Sequence, residues 1–144
     1  MSIKLSLFEI LSGDSSVTDK VTSWTKNDST RYAIFSSSLI PSKISTDSDP
    51  LKLSVKDTTV NYYQSGIISG GSMVINTTYS ISCRAYKEND AEALQQACYE
   101  ALNRVKSTDN RYFYVCSKLQ TITPSDKTDN YNAVVEVNVK GSNT

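Results

Sequence analysis

The stretch that most constrains the fold runs from Ser69 to Val105, because its hydrophobic period changes once along the way. Apolar and polar residues alternate from Met73 to Ala85, which is the period of a half-buried strand. One side of this strand carries Met73, Ile75, Thr77, Tyr79, Ile81, Cys83 and Ala85. The following residues switch to a helical period, so we expect a strand and a helix to share one core layer.

The predicted helix covers Asn89 to Val105. Its apolar positions fall within one sector of a helical wheel, and Glu92 and Gln95 fall opposite. The apolar positions are Ala91, Leu94, Ala97, Cys98, Ala101, Leu102 and Val105. Asn89 or Asp90 is a suitable N-cap, and Glu92 could complete a capping box with Asn89. The pattern therefore predicts an amphipathic helix with its apolar face on the sheet.

The predicted strand is longer than the predicted helix. Thirteen strand residues span about 43 Å, whereas a helix of about fifteen residues spans about 22 Å. Gly70-Gly71 favours a two-residue hairpin turn before this strand, because glycine accepts positive φ at both turn positions. That turn would pair Ile67 with Val74, Ile68 with Met73, Tyr62 with Tyr79 and Val60 with Ile81. Part of the hairpin should therefore project beyond the helix.

The end of this hairpin is apolar on both faces. Its apolar residues are Ile67, Ile68, Met73, Val74 and Ile75. A two-stranded ribbon cannot bury both of its faces alone, and exposed apolar patches commonly mark contacts with other proteins. We predict that these five residues form a subunit interface. The alternative is that the N-terminal helix or the Ser36–Pro50 loop covers them within the same chain.

The remaining sequence predicts a single α+β domain over residues 1–144, with a mainly antiparallel sheet and its helices on one face. A long hairpin, one major helix and an N-terminal helix are its main features. The N-terminal part is predicted to form a helix over Ile3–Leu11 ended by Gly13, and then a helical turn that is capped by Ser16 and Asp19 and runs to Trp24. A loop over Asn27–Thr30, a strand over Tyr32–Phe35 and an irregular loop over Ser36–Pro50 follow. Further strand segments are predicted at Leu51–Val55 and Val60–Tyr63, and a final hairpin pairs Tyr112–Thr123 with Tyr131–Val139.

Composition excludes several classes of protein. Lysine plus arginine equals aspartate plus glutamate at 15 each, and this neutral balance argues against a dedicated nucleic-acid or membrane-surface binder. No apolar run approaches the roughly 20 residues that span a bilayer, and the N-terminus does not read as a signal peptide. The odd number of cysteines, at Cys83, Cys98 and Cys116, indicates reduced thiols in a cytoplasmic setting.

The sequence offers little catalytic chemistry. It contains no histidine, which removes imidazole-dependent triads and the usual zinc sites. The acidic residues lie mostly where helix caps and turns are expected, and Cys98 lies on the apolar face of the predicted helix without a base. We therefore predict no catalytic, cofactor-binding or metal-binding residues, and an enzyme is the least favoured class.

The order of segments resembles the tail-terminator, or tail-completion, proteins of long-tailed bacteriophages. The resemblance covers nearly the whole chain and depends on patterns rather than signature residues. The landmarks are the helix ending in Leu11-Ser12-Gly13-Asp14-Ser15-Ser16-Val17, the segment from Ile34-Phe35 to Ile40-Pro41, the glycine-containing hairpin, the long strand Tyr79–Tyr86, and the alanine-rich helix Asp90–Val105 before a final hairpin. The serine-rich stretch before Leu51 is longer than the family pattern.

The resemblance implies a structural virion protein without catalytic residues. Such a protein is assembled in the host cytoplasm as a homohexameric ring, caps the phage tail tube, terminates its polymerisation and joins the tail to the head connector or stopper protein. DNA would only pass through the lumen, and no membrane is involved. The alternatives are another phage neck or tail-tube ring component, or a small-ligand-binding α+β module.

Overall fold

A computed structural model describes residues 2–67 and 74–142 of the chain. Within these residues the chain forms three helices and eight strands. The helices are α1 (Ile3–Ser12), α2 (Ser15–Thr18) and α3 (Glu88–Leu102), and the strands are β1 (Ser23–Lys26), β2 (Ser29–Tyr32), β3 (Ile34–Phe35), β4 (Thr59–Ile67), β5 (Val74–Ala85), β6 (Val105–Lys106), β7 (Tyr112–Lys118) and β8 (Tyr131–Ser142).

Six of the strands form the main sheet in the order β3-β4-β5-β8-β7-β6. Only the short β3 runs parallel to its neighbour, and the other pairs are antiparallel. Strands β1 and β2 make a separate antiparallel hairpin. The inward side chains of the main sheet meet α1, α2 and α3 in one core. The predicted α+β class, with a mainly antiparallel sheet, is confirmed.

The N-terminal helix forms where the sequence predicts it. The hydroxyl of Ser2 accepts a hydrogen bond from the Leu5 amide at 3.1 Å, and the Gly13 amide donates to Glu9 O at 3.0 Å. The predicted cap of the next turn is wrong, because the Asp14 carboxylate, and not Ser16, accepts from the Val17 amide at 3.2 Å. That helix ends at Thr18, so Trp24 lies in a strand and not in a helix.

Strand β2 begins at Ser29, so Asn27 and Asp28 of the loop predicted over Asn27–Thr30 form a turn, and Ser29 and Thr30 belong to the β1–β2 hairpin. Asn27 and Asp28 both have positive φ, at 53° and 60°, which matches the backbone of a tight hairpin turn. The Asp47 carboxylate accepts a hydrogen bond from the Asn27 amide at 2.8 Å and so ties this turn to the long loop. The strand predicted at Leu51–Val55 is also wrong, because only Leu51 pairs, as an isolated bridge to Ile44.

Helix α3 begins one residue before the predicted start and ends earlier than predicted. Lys87 occupies the N-cap position without a side-chain hydrogen bond, so the predicted Asn89 or Asp90 cap is wrong. Glu88 and Asp90 instead place negative charge in the first turn, where the helix dipole favours it. Val105 belongs to β6, and Gln95 is buried although the helical pattern predicts it outward.

The register of the long hairpin differs from the prediction by two residues. Tyr62 pairs with Ile81 and Val60 pairs with Cys83, and a bulge between Gln64 and Gly66 then shifts the pairing once more. Ile67 consequently pairs with Thr77 and not with Val74. The predicted turn residues Gly70-Gly71 lie outside the described residues.

The inner face of the sheet carries the core. Tyr79, Ile81, Cys83 and Ala85 of β5 are buried, as are the inward residues Ala133, Val135, Val137 and Val139 of β8. Two buried tyrosines attach α1 to this face: the Tyr62 hydroxyl donates to Lys4 O at 3.1 Å, and the Tyr114 hydroxyl donates to Ser6 Oγ at 2.5 Å.

In the final hairpin, β7 ends at Lys118 instead of Thr123, and β8 continues past Val139 to Ser142.

Candidate assembly surfaces

The structure places the predicted interface residues at one end of the β4–β5 hairpin. Ile68 and Met73 lie outside the described residues. Ile67 is the last residue of β4, and Val74 is the first of β5, where it pairs with Ser142 of β8. Ile75 pairs with Gly141 and is half-buried against the core of its own chain. The described part of the hairpin end is therefore a ladder of at least two strands, β5 and β8, and not an isolated ribbon.

Side chains of the same chain complete the inner face near this end. The Gln64 side-chain amide donates to Thr77 Oγ1 at 3.0 Å, and that hydroxyl donates to Gly66 O at 2.7 Å. Tyr112 lies over Gly141 so closely that an added Cβ would be 2.7 Å from the tyrosine ring. These contacts stabilise the hairpin base across the bulge without a second chain.

Two segments were expected to cover the hairpin end if it were not an interface. Helix α1 covers part of the inner face, as its hydrogen bonds with Tyr62 and Tyr114 show. The Ser36–Pro50 loop lies at the other end of β4, where Asn61 Nδ2 donates to Ser37 O at 3.0 Å and to Leu39 O at 3.2 Å. The described hydrogen bonds of this loop with other elements go to the start of β4 and to the β1–β2 hairpin, and not to the Ile67 end of β4.

The outer face of the sheet is polar towards the hairpin end. Thr78, Ser80, Glu136 and Asn138 alternate with the buried residues of β5 and β8 and are half-buried. The Thr78 hydroxyl donates to the Asn138 side-chain oxygen at 3.1 Å across the ladder. This face combines short hydrogen-bonding side chains with few charges.

An apolar groove lies beside β3 and the start of β4. Two adjoining cavities of about 810 and 560 Å³ share Phe8 of α1 and Ile34 and Phe35 of β3. Trp24 stacks on Phe35 with ring centroids 6.4 Å apart. Phe8 is 43% exposed and Leu39 is 74% exposed, which is unusual for large apolar side chains that share one depression. The sequence prediction missed this groove because its residues come from three separate segments.

A smaller polar cavity of about 340 Å³ lies under the β7–β8 connection and is lined by Arg84, Asn132, Asp129 and neighbouring loop residues. Among the residues that the structure describes, the buried Nε of Arg84 and Oδ1 of Asn132 have no hydrogen-bond partner, and the two residues are direct neighbours across β5 and β8.

The three cysteines are buried, as expected for residues with a packing role. The Cys83 and Cys98 sulfurs lie 3.8 Å apart between β5 and α3. The hydrogen bond with Cys98 and burial raise the pKa of the Cys83 thiol, and burial raises the pKa of Cys116 to about 12. The Cys83 and Cys116 thiols therefore stay protonated and are poor nucleophiles at neutral pH.

No family model matches this chain, and no curated protein matches it by sequence. Within residues 2–67 and 74–142, no cluster of three metal-ligating side chains is present. None of the described helices has the length and apolar character needed to cross a membrane.

Proposed function

We propose that this chain is a structural subunit of a bacteriophage virion that forms a ring at the head-proximal end of the tail tube. In this role it would act as a tail terminator, stopping tube polymerisation and joining the tail to the head. The resemblance in the order of segments is the basis for naming the family. The fold agrees with that order in its N-terminal helix, long β4–β5 hairpin, single long helix and final hairpin.

The observation that carries the proposal is the position of the hairpin end relative to α3. Strands β5 and β8 have 12 residues each, a length of about 40 Å, whereas the 15 residues of α3 span about 22 Å. The contacts of α3 with the sheet include Gln95 to Val134 O at 2.7 Å and Cys98 to Cys83, both towards the Ala85 end of β5. Ile67 and Val74 lie at the other end of these strands, beyond these contacts of α3, and we propose that this end meets another chain.

A ring follows if this end meets a different surface on the next subunit. Such a heterologous contact repeats by rotation and closes when the angle permits. The six-fold copy number is what the family resemblance implies. The two rims of the ring would then contact the tail-tube protein on one side and the connector or stopper protein on the other.

The polar outer face is compatible with a lumen through which DNA passes. Protein contacts with DNA phosphates come mainly from lysine and arginine, and binding strengthens with their number. The outer side chains at the hairpin half of β5 and β8 are mostly serine, threonine and asparagine. A wall of this kind would hold DNA weakly, as a conduit requires.

Negative-stain electron microscopy of the purified protein tests the proposal. We expect single six-fold rings that do not stack into tubes as the concentration rises. Long tubes would instead indicate a tail-tube component. A monomer at all concentrations would contradict any ring-forming function.

The groove beside Phe8 favours a second candidate function, a small-ligand-binding module. Its larger cavity, about 810 Å³, lies within the usual size range of ligand pockets and is lined by aromatic side chains together with Lys26 and Arg31. This candidate predicts a monomer or dimer whose thermal stability rises with a small apolar anion. A ring without such a response would exclude it.

A further inference from the structure

The Phe8 groove consists of the two adjoining cavities beside β3, and its two ends differ in charge. Among the described residues, the larger cavity is lined by Lys26 and Arg31 and by no acidic side chain. The smaller cavity is lined by no charged side chain of the described residues, and Leu39 and Pro41 form part of its wall. An occupant complementary to the whole groove therefore combines apolar groups with negative charge.

The two cations lie on one face of the β1–β2 hairpin. Arg31 is directly opposite Trp24, and Lys26 follows Trp24 by two residues, so both charges share the face of Trp24. Such diagonal neighbours are about 7–8 Å apart and repel each other. Within the part of the chain that the structure describes, neither cation forms an ion pair. The Asp47 carboxylate at the nearby turn accepts a hydrogen bond from the Asn27 amide instead. A carboxylate of another molecule, placed between the two cations, would remove their repulsion.

The groove is open to solvent along its length. Leu39 is 74% exposed and Phe8 is 43% exposed, although both line the smaller cavity. Sites for small molecules commonly enclose most of the ligand surface. An open groove of two connected cavities is better suited to an extended peptide, which needs length more than enclosure.

An edge of the main sheet runs along the groove. Strand β3 is the last strand on its side of the sheet, and its residues Ile34 and Phe35 line both cavities. The Ala33 carbonyl accepts a hydrogen bond from the Val60 amide at 2.8 Å. The N–H of Ile34 belongs to the same trans peptide group and therefore points away from β4. An extended segment beside an edge strand can accept a main-chain hydrogen bond from such a group.

We infer that the Phe8 groove binds an extended acidic segment of a partner protein. The apolar side chains of this segment occupy the smaller cavity, and its carboxylates lie between Lys26 and Arg31. The inference goes beyond the proposed ring function, because it identifies a partner by its chemistry and holds for a ring subunit and for a monomer alike.

Trp24 is the single tryptophan of the chain and lines the groove, so its fluorescence reports occupancy directly. The probe is a capped peptide in which a run of apolar residues is followed by a run of glutamates, and the control peptide has lysines in place of the glutamates. Each peptide is used in both chain directions. At low ionic strength we expect saturable binding of the glutamate peptide, about tenfold tighter than binding of the lysine peptide. Equal binding of the two peptides, or binding of neither, would overturn the inference.

Reversing the two cations tests the charged end of the groove. Lys26→Glu combined with Arg31→Glu should exchange the preference, so that the lysine peptide binds more tightly. Lys87→Glu combined with Lys127→Glu is the matched control, because these exposed lysines line a cavity outside the groove. The control should keep the wild-type preference, and circular dichroism checks that both double variants are folded. A groove variant that still prefers the glutamate peptide would overturn the inference.

Leu39→Ser tests the uncharged end. The variant should bind the glutamate peptide about fivefold more weakly, because part of the apolar contact area is lost. Ile122→Ser is its control, since Ile122 is 59% exposed and lies outside the groove. Its affinity should equal that of the wild type. An unchanged affinity of Leu39→Ser would contradict a peptide that occupies the smaller cavity.

Other occupants of the groove give different results. Saturable quenching of Trp24 by 8-anilinonaphthalene-1-sulfonate, an aromatic anion, without binding of the glutamate peptide would overturn the inference in favour of a small-ligand site. Peptide binding that is lost as the protein assembles would assign the groove to a second copy of this chain and would also overturn it. Light scattering on the same samples separates the two proposals. Intact rings that bind no peptide would leave the ring function standing, and a monomer that binds the peptide would contradict the ring function alone.

Discussion

The two ends of β5 have different surroundings although one alternating sequence forms both. At the Ala85 end, Ile81 and Cys83 are fully buried under α3, and Ala85 packs on Ala91 and Ala133. At the Val74 end, Ile75 is only half-buried, and the neighbouring outer residues are the polar Asn76 and the exposed Lys140. The difference teaches that the Ala85 end of the strand is fully packed into the core, whereas the side chain of Ile75 at the other end is only partly covered by its own chain.

The largest expected effect concerns the α3 end. Leu94→Ala should lower the free energy of unfolding by about 2–5 kcal/mol, because the side chain is fully buried and leaves a cavity. Leu39→Ala, at a 74% exposed position, should change it by less than about 0.5 kcal/mol. Urea denaturation of both variants measures the contrast. Similar losses for the two would remove the distinction between this core position and an exposed one.

Gln95→Leu tests whether the α3 end depends on a buried polar contact. The Gln95 side-chain amide donates to Val134 O at 2.7 Å and to Leu119 O at 2.9 Å. Leucine at this position would remove both hydrogen bonds. We expect a loss of about 1–3 kcal/mol in chemical denaturation. Gln120→Leu, at an exposed position, is the control and should be nearly neutral. An unchanged Gln95→Leu midpoint would show that the two carbonyl groups find other partners.

Gly141→Ala tests packing at the hairpin end. An added Cβ would lie 2.7 Å from both Arg111 O and the Tyr112 ring, so the ladder beside Ile75 must shift, at a cost of about 1–3 kcal/mol. Gly66→Ala is the matched control, because an added Cβ at Gly66 would lie 3.8 Å from its nearest neighbour, Thr78 Cβ. Thermal unfolding of both should separate them. If Gly66→Ala were the more damaging, the close approach of Tyr112 would have no energetic consequence.

The smallest effect is expected for Tyr114→Phe at neutral pH, about 1 kcal/mol for the lost hydrogen bond to Ser6. Burial raises the pKa of Tyr114 to about 12, so between pH 10 and that value the unfolded chain loses a proton that the folded chain keeps. Stability should therefore fall as pH rises above about 10. The phenylalanine variant should lose less over this range, with the residual slope arising from Tyr62, Tyr79 and the thiols. Equal slopes in alkaline denaturation would contradict this assignment.

The alternation of apolar and polar residues predicted the inner faces of β5 and β8 correctly, but it could not predict the β4–β5 register. A shift of two residues keeps every side chain on its face, so Tyr62 opposite Ile81 satisfies the pattern as well as Tyr62 opposite Tyr79. The bulge beside Gly66 then moves the pairing by one more residue, and no residue pattern marks it in advance.

Tertiary contacts explain the other differences between sequence and structure. Gln95 is polar yet buried, because two carbonyl groups satisfy its amide. Strand β1 is short and polar and depends on its partner β2 and on Asp47 at the turn. The groove brings together Phe8, Phe35 and Leu39 from separate segments, so only the folded chain shows it. The interface prediction for Ile67, Ile68, Met73, Val74 and Ile75 stays a prediction.

The most direct test of the assembly account is the mass of the wild-type protein beside that of Ile68→Asp, measured by light scattering at matched concentrations. The account predicts a ring mass for the wild type and a folded monomer for the variant, with identical circular dichroism spectra. A wild type that remains monomeric, or a variant that keeps the ring mass, would contradict the claim that the hairpin end assembles this protein.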